Sequence, residues 1–187
     1  MTDFLPPKYT PEGFRKIRLP DWLHEDVAKF FDNNYLRSQP EHSDAIGTFI
    51  SSEHTPVPAR FVELDPDIRD EITRSMLPLL EHWVQHKLKL TALYGIREYR
   101  RGATLKMHVD KVETHHVSAI VNVSQCVNTE WPLQIYDHEG GLHDVYIKPG
   151  EAILYESARL KHGRTIALDG VSFANYFIHA MEDTDNV

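Results

Sequence analysis

From residue 91 onward the apolar residues alternate with polar ones, and turn residues cut the chain at short intervals. The breaks fall at Gly102, Glu139-Gly140-Gly141, Pro149-Gly150 and Asp169-Gly170. Glycine supplies positive φ and proline a fixed φ, which tight turns require. The intervals between them predict strands over 93–100, 104–110, 116–125, 131–137, 143–148, 151–156, 159–166 and 171–180. So many short strands bury their apolar faces best as two sheets facing each other. The expected fold is α+β and mainly β: a double-stranded β-helix, or jelly roll, with N-terminal helices packed on one sheet.

The helices come from the first half. Pro20-Asp21 opens one that should run to about Asp32, with Val27, Phe30 and Phe31 as its apolar stripe and Asn33-Asn34 at its end. Asp65-Pro66-Asp67 combines an N-cap residue, a proline at the first helical position and an acid in the first turn. Ile68, Ile72, Met76, Leu79, Leu80 and Trp83 follow at helical spacing, to an end near Lys87. Phe14, Ile17 and Leu19 predict a short strand, and residues 37–64 read as loop with short strands. With no repeat, low-complexity segment or linker, residues 1–187 are expected to form a single domain. Residues 1–90 would be its helical support and loops, and 91–181 its jelly-roll core.

Charge and cysteine content exclude several classes. A formal net charge of −8 argues against nucleic acid or an anionic membrane as partner. Cys126 is the only cysteine, so no internal disulfide forms and no Cys-based zinc site is expected. The N-terminus lacks the basic and apolar runs of a signal peptide, and no apolar run approaches a membrane span, which points to a cytoplasmic protein. No feature of the sequence sets an oligomeric state.

The chemistry lies in Lys106-Met107-His108-Val109-Asp110, read with Arg159-Leu160-Lys161-His162-Gly163-Arg164. A His and an Asp two apart on a strand share a face. Leu105, Met107 and Val109 are then expected on the opposite, apolar face, with Lys106 beside the polar pair. His162, supplied by a late strand, completes two imidazoles and one carboxylate. That set covers one face of an octahedral Fe(II) and leaves three positions open. In a chain with 12 histidines an isolated H-x-D is a weak signal. Its weight comes from the second histidine following a Pro-Gly turn and a strand.

Over roughly residues 93–180 the chain resembles the Fe(II)/2-oxoglutarate-dependent oxygenase superfamily, of the prolyl 4-hydroxylase-like type. The motifs are the H-x-D, the run Pro149-Gly150-Glu151-Ala152-Ile153-Leu154-Tyr155-Glu156-Ser157, and His162-Gly163-Arg164 followed by Gly170 and the segment Phe173 to His179. The resemblance implies His108, Asp110 and His162 as the catalytic iron ligands. It implies Fe(II), the cosubstrate 2-oxoglutarate and O2, with ascorbate as a supporting reductant. It further implies hydroxylation of an unactivated C–H bond in a peptidyl residue (prolyl among them), an amino acid or a small metabolite, with release of succinate and CO2.

One departure stands out. The family's cation for the far carboxylate of 2-oxoglutarate comes nine or ten residues after the second histidine, where this chain has Val171 or Ser172. Arg164 is the best substitute, since alternation turns it to the face of His162 and a guanidinium grips a carboxylate with two hydrogen bonds. Lys106 is the second candidate, and Ser172 offers a single hydrogen bond. The plainer role for Arg164 is a salt bridge to Asp169 or Glu156. Tyr99 and Asn122 match positions lining the family's cosubstrate pocket; packing and a bend hydrogen bond are their plainer roles. The substrate pocket is expected from residues 37–64 and the loops near 111–116 and 126–131, and one of His115 and His116 could face it. The competing classes are a cupin-type metal enzyme that does not use 2-oxoglutarate, and a non-catalytic jelly-roll binding module. Cupins usually carry two nearby histidines and a glutamate, which His108-Val109-Asp110 fits badly.

Overall fold

The computed structural model describes residues 5–184. Its strands are β1 (Phe14–Arg18), β2 (Gln39–Pro40), β3 (Ile50–Ser52), β4 (Ala59–Glu63), β5 (Leu88–Arg100), β6 (Ala103–His108), β7 (Val117–Val127), β8 (Leu133–Tyr136), β9 (Leu142–Val145), β10 (Glu151–Tyr155), β11 (His162–Arg164) and β12 (Gly170–Glu182). Two helices, α1 (Asp21–Asn34) and α2 (Pro66–Val84), precede β5. The strands form a major sheet ordered β1-β10-β7-β12-β5-β4-β2 and a minor sheet ordered β3-β6-β11-β8-β9. The fold is the expected mainly-β jelly roll with helices on one sheet. The first ninety residues do more than support it, however: β1, β2, β3 and β4 extend both sheets.

Two cores divide the molecule. Leu23, Val27 and Phe31 of α1 and Ile68, Ile72, Met76, Leu80 and Val84 of α2 pack on the outer face of the major sheet, against Ile96, Val121, Leu154 and Ile178. The second core lies between the sheets and contains Tyr99, Leu105, Ile120, Trp131, Leu133, Ile135, Ile153, Tyr155 and Phe173. The α2 start is built as expected: the Asp65 carboxylate accepts from the Ile68 N–H at 3.0 Å, with Pro66 at the first turn. The helix ends at Val84, three residues before Lys87, and Gln85 caps it in a left-handed conformation. Leu79 is exposed and falls outside the stripe, which follows the strict four-residue row from Ile68 to Val84. Phe30 packs half-buried against the α1 core, whose fully buried stripe also includes Leu23. No helix among the described residues is long and apolar enough to cross a membrane.

Glu156, just beyond β10, ties the N-terminal arm to the jelly roll. Its fully buried carboxylate accepts from the Thr10 N–H and hydroxyl, both at 2.8 Å, and lies 3.1 Å from His138 Nε2. Removing it leaves two donors without an acceptor, so Glu156→Ala should cost about 1–3 kcal/mol. Urea unfolding measures this, and a change within about 0.5 kcal/mol, the range of an ordinary surface substitution, would refute it.

Candidate metal centre

β6 and β11 run antiparallel in the minor sheet and set His108 directly opposite His162. Two residues further along β11, Arg164 pairs with Leu105, so three steps on β6 oppose two on β11. This bulge reverses the face assignment for part of β6. Leu105 joins the core between the sheets and Lys106 is exposed, contrary to the expected apolar face. Lys106 is therefore corrected as an anchor candidate: its side chain lies in solvent. Gly163 makes the bulge possible. A Cβ there would lie 2.8 Å from the Leu105 carbonyl oxygen and 3.0 Å from Met107 Cα.

Asp110 lies past the end of β6, and its N–H donates to the Ser157 carbonyl at 2.9 Å. His108, Asp110 and His162 offer three donor atoms within 4.8 Å of one another. Asp110 Oδ1 stands 3.5 Å from His108 Nε2 and 3.8 Å from His162 Nε2. Each imidazole is oriented from behind. His108 Nδ1 is 2.8 Å from the Lys106 carbonyl oxygen, and His162 Nδ1 is 2.9 Å from that of Leu160. A carbonyl only accepts, so both Nδ1 atoms carry the proton and both Nε2 lone pairs face the centre. Burial also lowers the pKa of His162, which favours its neutral form. Burial opposes the charge of Asp110, but the imidazoles of His108, His162 and His179 around it hold its carboxyl well below the usual range.

No spacing in the sequence signals the arrangement behind Asp110. Asp110 Oδ2 faces the Tyr155 hydroxyl at 3.5 Å and His179 Nδ1 at 3.7 Å. Ser157 donates to the His115 carbonyl at 2.7 Å, so its oxygen accepts from Ser118 at 2.6 Å, and Ser118 accepts from His179 Nδ1 at 2.7 Å. This chain fixes the His179 tautomer. Burial brings the His179 pKa down to about 3. His115 stacks on His179 with ring centroids 3.9 Å apart, and His116 turns away to bond the Val112 carbonyl.

Beyond His162, Arg164 enters the space between the sheets and is 1% exposed. Its guanidinium lies 4.5 Å from the Trp131 ring and 4.6 Å from the Phe173 ring, and Nη1 donates to the Trp131 carbonyl. Nη2 has no hydrogen-bond partner, nor has the buried Tyr99 hydroxyl. Burial lowers the pKa of Arg164 to about 10. Neither expected salt bridge forms: Asp169 bonds Asn128 and Thr129, and Glu156 holds Thr10. Asn122 donates to the Ala174 carbonyl and to Asn175 Oδ1, both at 3.1 Å, which leaves its own Oδ1 unbonded. Ser172 is half-buried, and alternation puts it on the face opposite Phe173, away from Arg164. The expected strand 159–166 shortens to β11 because Arg159 and Leu160 N–H groups turn back to the Glu156 carbonyl.

A cleft of about 1110 Å³ borders the centre. The stretch from Arg37 to Asp65 supplies most of its wall, as expected, with Tyr94, Arg97 and Lys111. The 126–131 loop lines none of it; Trp131 is used in the core. Phe49 connects cleft and centre, its ring 4.9 Å from that of His108. On the other side the 58% exposed Tyr94 stands 6.0 Å from the His179 ring. A bulge in β5 projects it: Ile96 and Leu93 oppose Tyr176 and Ile178, three steps against two. Glu41 and Arg97 form a two-pronged pair at the cleft floor, with Nε–Oε2 at 2.6 Å and Nη2–Oε1 at 2.5 Å.

No protein-family model and no curated protein matches the sequence. Solved structures do match. A prolyl-4-hydroxylase from Pseudomonas putida superposes with a TM-score of 0.68 at 15% identity, over 92% of this chain and 94% of that one. A prolyl hydroxylase from Trichoplax adhaerens, in complex with a hypoxia inducible factor oxygen degradation domain peptide fragment, gives 0.62 at 14%, over 91% and 84%. EctD from S. alaskensis with 2-oxoglutarate and 5-hydroxyectoine gives 0.65 at 14%, over 100% and 79%. At these identities the likeness establishes a shared fold.

Proposed function

We propose that the protein is a Fe(II)- and 2-oxoglutarate-dependent dioxygenase that hydroxylates an unactivated C–H bond. The substrate carbon belongs to a peptidyl residue, an amino acid or a small metabolite. The observation that carries this reading is the convergence of His108 Nε2, Asp110 Oδ1 and His162 Nε2, with both imidazoles locked in the ligating tautomer. Two neutral imidazoles and one carboxylate suit Fe(II) and leave open positions for a chelating 2-oxo acid and O2. The fold shared with two prolyl hydroxylases and with EctD, whose structure contains 2-oxoglutarate, supports the same reading.

The bound metal and cosubstrate would supply the oxidising power: the 2-oxo acid and O2 become succinate and CO2 as the substrate C–H becomes C–OH. The chain's own groups do the rest. His108, Asp110 and His162 hold the metal on one side. The Ser157–Ser118–His179 chain and Tyr155 steady the outer oxygen of Asp110. Phe49 and Tyr94 border the side from which a substrate in the cleft approaches.

Anaerobic titration with Fe(II) and then 2-oxoglutarate tests the reading, followed by succinate detection on admitting O2. A weak visible charge-transfer band requiring both components is the expected result. Iron binding without any 2-oxoglutarate band would instead favour a cupin-type enzyme. Absence of metal binding would leave a jelly-roll binding module.

A further inference from the structure

We propose that the N-terminal arm holds Asp110 in ligating position through Glu156 and Ser157, which makes Glu156 a positioning residue of the metal centre. This rests on the reading of His108, Asp110 and His162 as a metal centre and adds to it how the third ligand is placed.

The three ligands are not held alike. His108 and His162 stand on paired strands, opposite each other across β6 and β11. Asp110 lies two residues past the end of β6, where no strand pairing fixes the backbone. Its N–H is tied instead to the Ser157 carbonyl at 2.9 Å. The Ser157 hydroxyl donates to the His115 carbonyl at 2.7 Å. One residue thus fastens both ends of the loop from Asp110 to His115, and the position of Asp110 follows that of Ser157.

Ser157 in turn lies outside the strands, in the turn after β10. That turn is built on Glu156. The Glu156 carbonyl accepts from the Arg159 and Leu160 N–H groups, both at 3.0 Å, and its N–H donates to the Gly13 carbonyl at 2.9 Å. Its buried Oε1 takes both Thr10 donors, and His138 Nε2 lies 3.1 Å from Oε2. The arm, residues 5–13, therefore grips the turn through the main chain and the side chain of Glu156, and Arg159 adds a bond to the Pro6 carbonyl. The same arm meets the Asp110 loop a second time. The Tyr9 hydroxyl is 3.5 Å from His116 Nδ1, and His116 Nε2 is 2.9 Å from the Val112 carbonyl oxygen. A buried charge is costly where an apolar contact would pack as well. What a satisfied buried network provides is one fixed geometry. A metal ligand needs that, because ligand distances tolerate only about 0.2 Å.

Calorimetric Mn(II) titration of the full chain provides the test, in a double-mutant cycle with Asp110→Asn. In the wild-type background Glu156→Ala should weaken Mn(II) binding by about 10- to 100-fold, the range for partners one step removed from a metal. In the Asp110→Asn background the same change should weaken it by less than about threefold, because the ligand it acts through is gone. Glu156→Gln keeps an oxygen for Thr10 and should stay within about threefold of wild type. Ile72→Ala is the control for general destabilisation. Ile72 is fully buried in the core on the outer face of the major sheet. Its truncation should lower the melting temperature at least as far as Glu156→Ala does and leave Mn(II) affinity unchanged. Should Glu156→Ala not fold, Thr10→Val takes its place in the cycle, with a loss of about three- to tenfold expected in the wild-type background alone. Mn(II) binding as tight as wild type in the arm-side variant, an equal loss in both backgrounds, or an equal loss in Ile72→Ala overturns the proposal. Wild type that binds no Mn(II) removes the metal centre itself, and the oxygenase reading with it, before any variant is compared.

Discussion

Asp110→Asn should lower Fe(II) affinity by more than about 100-fold and also cost the apoprotein some stability at neutral pH. Replacing partners one step removed from a metal typically costs 10- to about 100-fold, so loss of a ligating charge should exceed that. Oδ1 of Asp110 brings an anionic atom to both Nε2 atoms, at 3.5 and 3.8 Å. An amide of the same shape brings no charge and can turn its NH2 toward the metal. The stability side has the same sign. Burial opposes the charge, but the nearby imidazoles hold the carboxyl well below its usual range, so its ionised form contributes stability at neutral pH that is lost as pH falls through the folded value. An amide lacks that contribution. The backbone remains fixed in either case, because the Asp110 N–H bond to the Ser157 carbonyl does not involve the side chain. Metal titration and thermal melts of apoprotein together make the check. A variant that loses both metal and fold would show that Asp110 serves structure first.

The convergence of His108, Asp110 and His162 was legible in the sequence for a physical reason: alternation on a strand pairs the first two, and the turns at Gly102 and Pro149-Gly150 set off the strands that bring His162 beside them. The helix start at Asp65-Pro66 was equally plain, since cap and fixed φ act locally. What the sequence hid depends on contacts between distant segments. Periodicity alone predicts Leu105 opposite His108; the bulge that puts them both inward exists only because Gly163, on another strand, lets β6 come close. The same non-local effect exposes Lys106 and turns Ser172 away. The arrangement of Asp110, His179, Ser118 and Ser157 spans three strands and a turn, and no spacing in the chain announces it. The strands between residues 37 and 64 were faint because they are two to five residues long, with Pro40, Pro56 and Pro58 in or between them.

Gly163→Ala should then strike both the fold and the centre. The added carbon would sit 2.8 Å from the Leu105 carbonyl oxygen, 2.9 Å from Met107 Sδ and 3.0 Å from Met107 Cα. The sulfur can rotate aside, but the two backbone atoms cannot, so β6 must retreat from β11. Overpacking of this kind costs about 1–3 kcal/mol. The larger consequence is functional, because those two strands carry His108 and His162 opposite each other. Metal–ligand distances tolerate only about 0.2 Å, and a shift of a few tenths of an ångström exceeds that. A fall in Fe(II) affinity of tenfold or more is therefore expected, beyond any loss of folded protein. Gly140→Ala is the control. Gly140 has φ +86°, so a side chain is strained there, but a Cβ would meet nothing within 4 Å. It should lose about 1–2 kcal/mol of stability, the cost of left-handed backbone for an L residue, and keep its metal affinity. If Gly163→Ala destabilises the protein no more than Gly140→Ala and binds iron as well as wild type, then β6 can relax past β11 without disturbing the ligands. In that case the glycine between the histidine and the arginine answers only to local backbone geometry. If iron is lost selectively, the close approach of these two strands is what sets the spacing of the donor atoms.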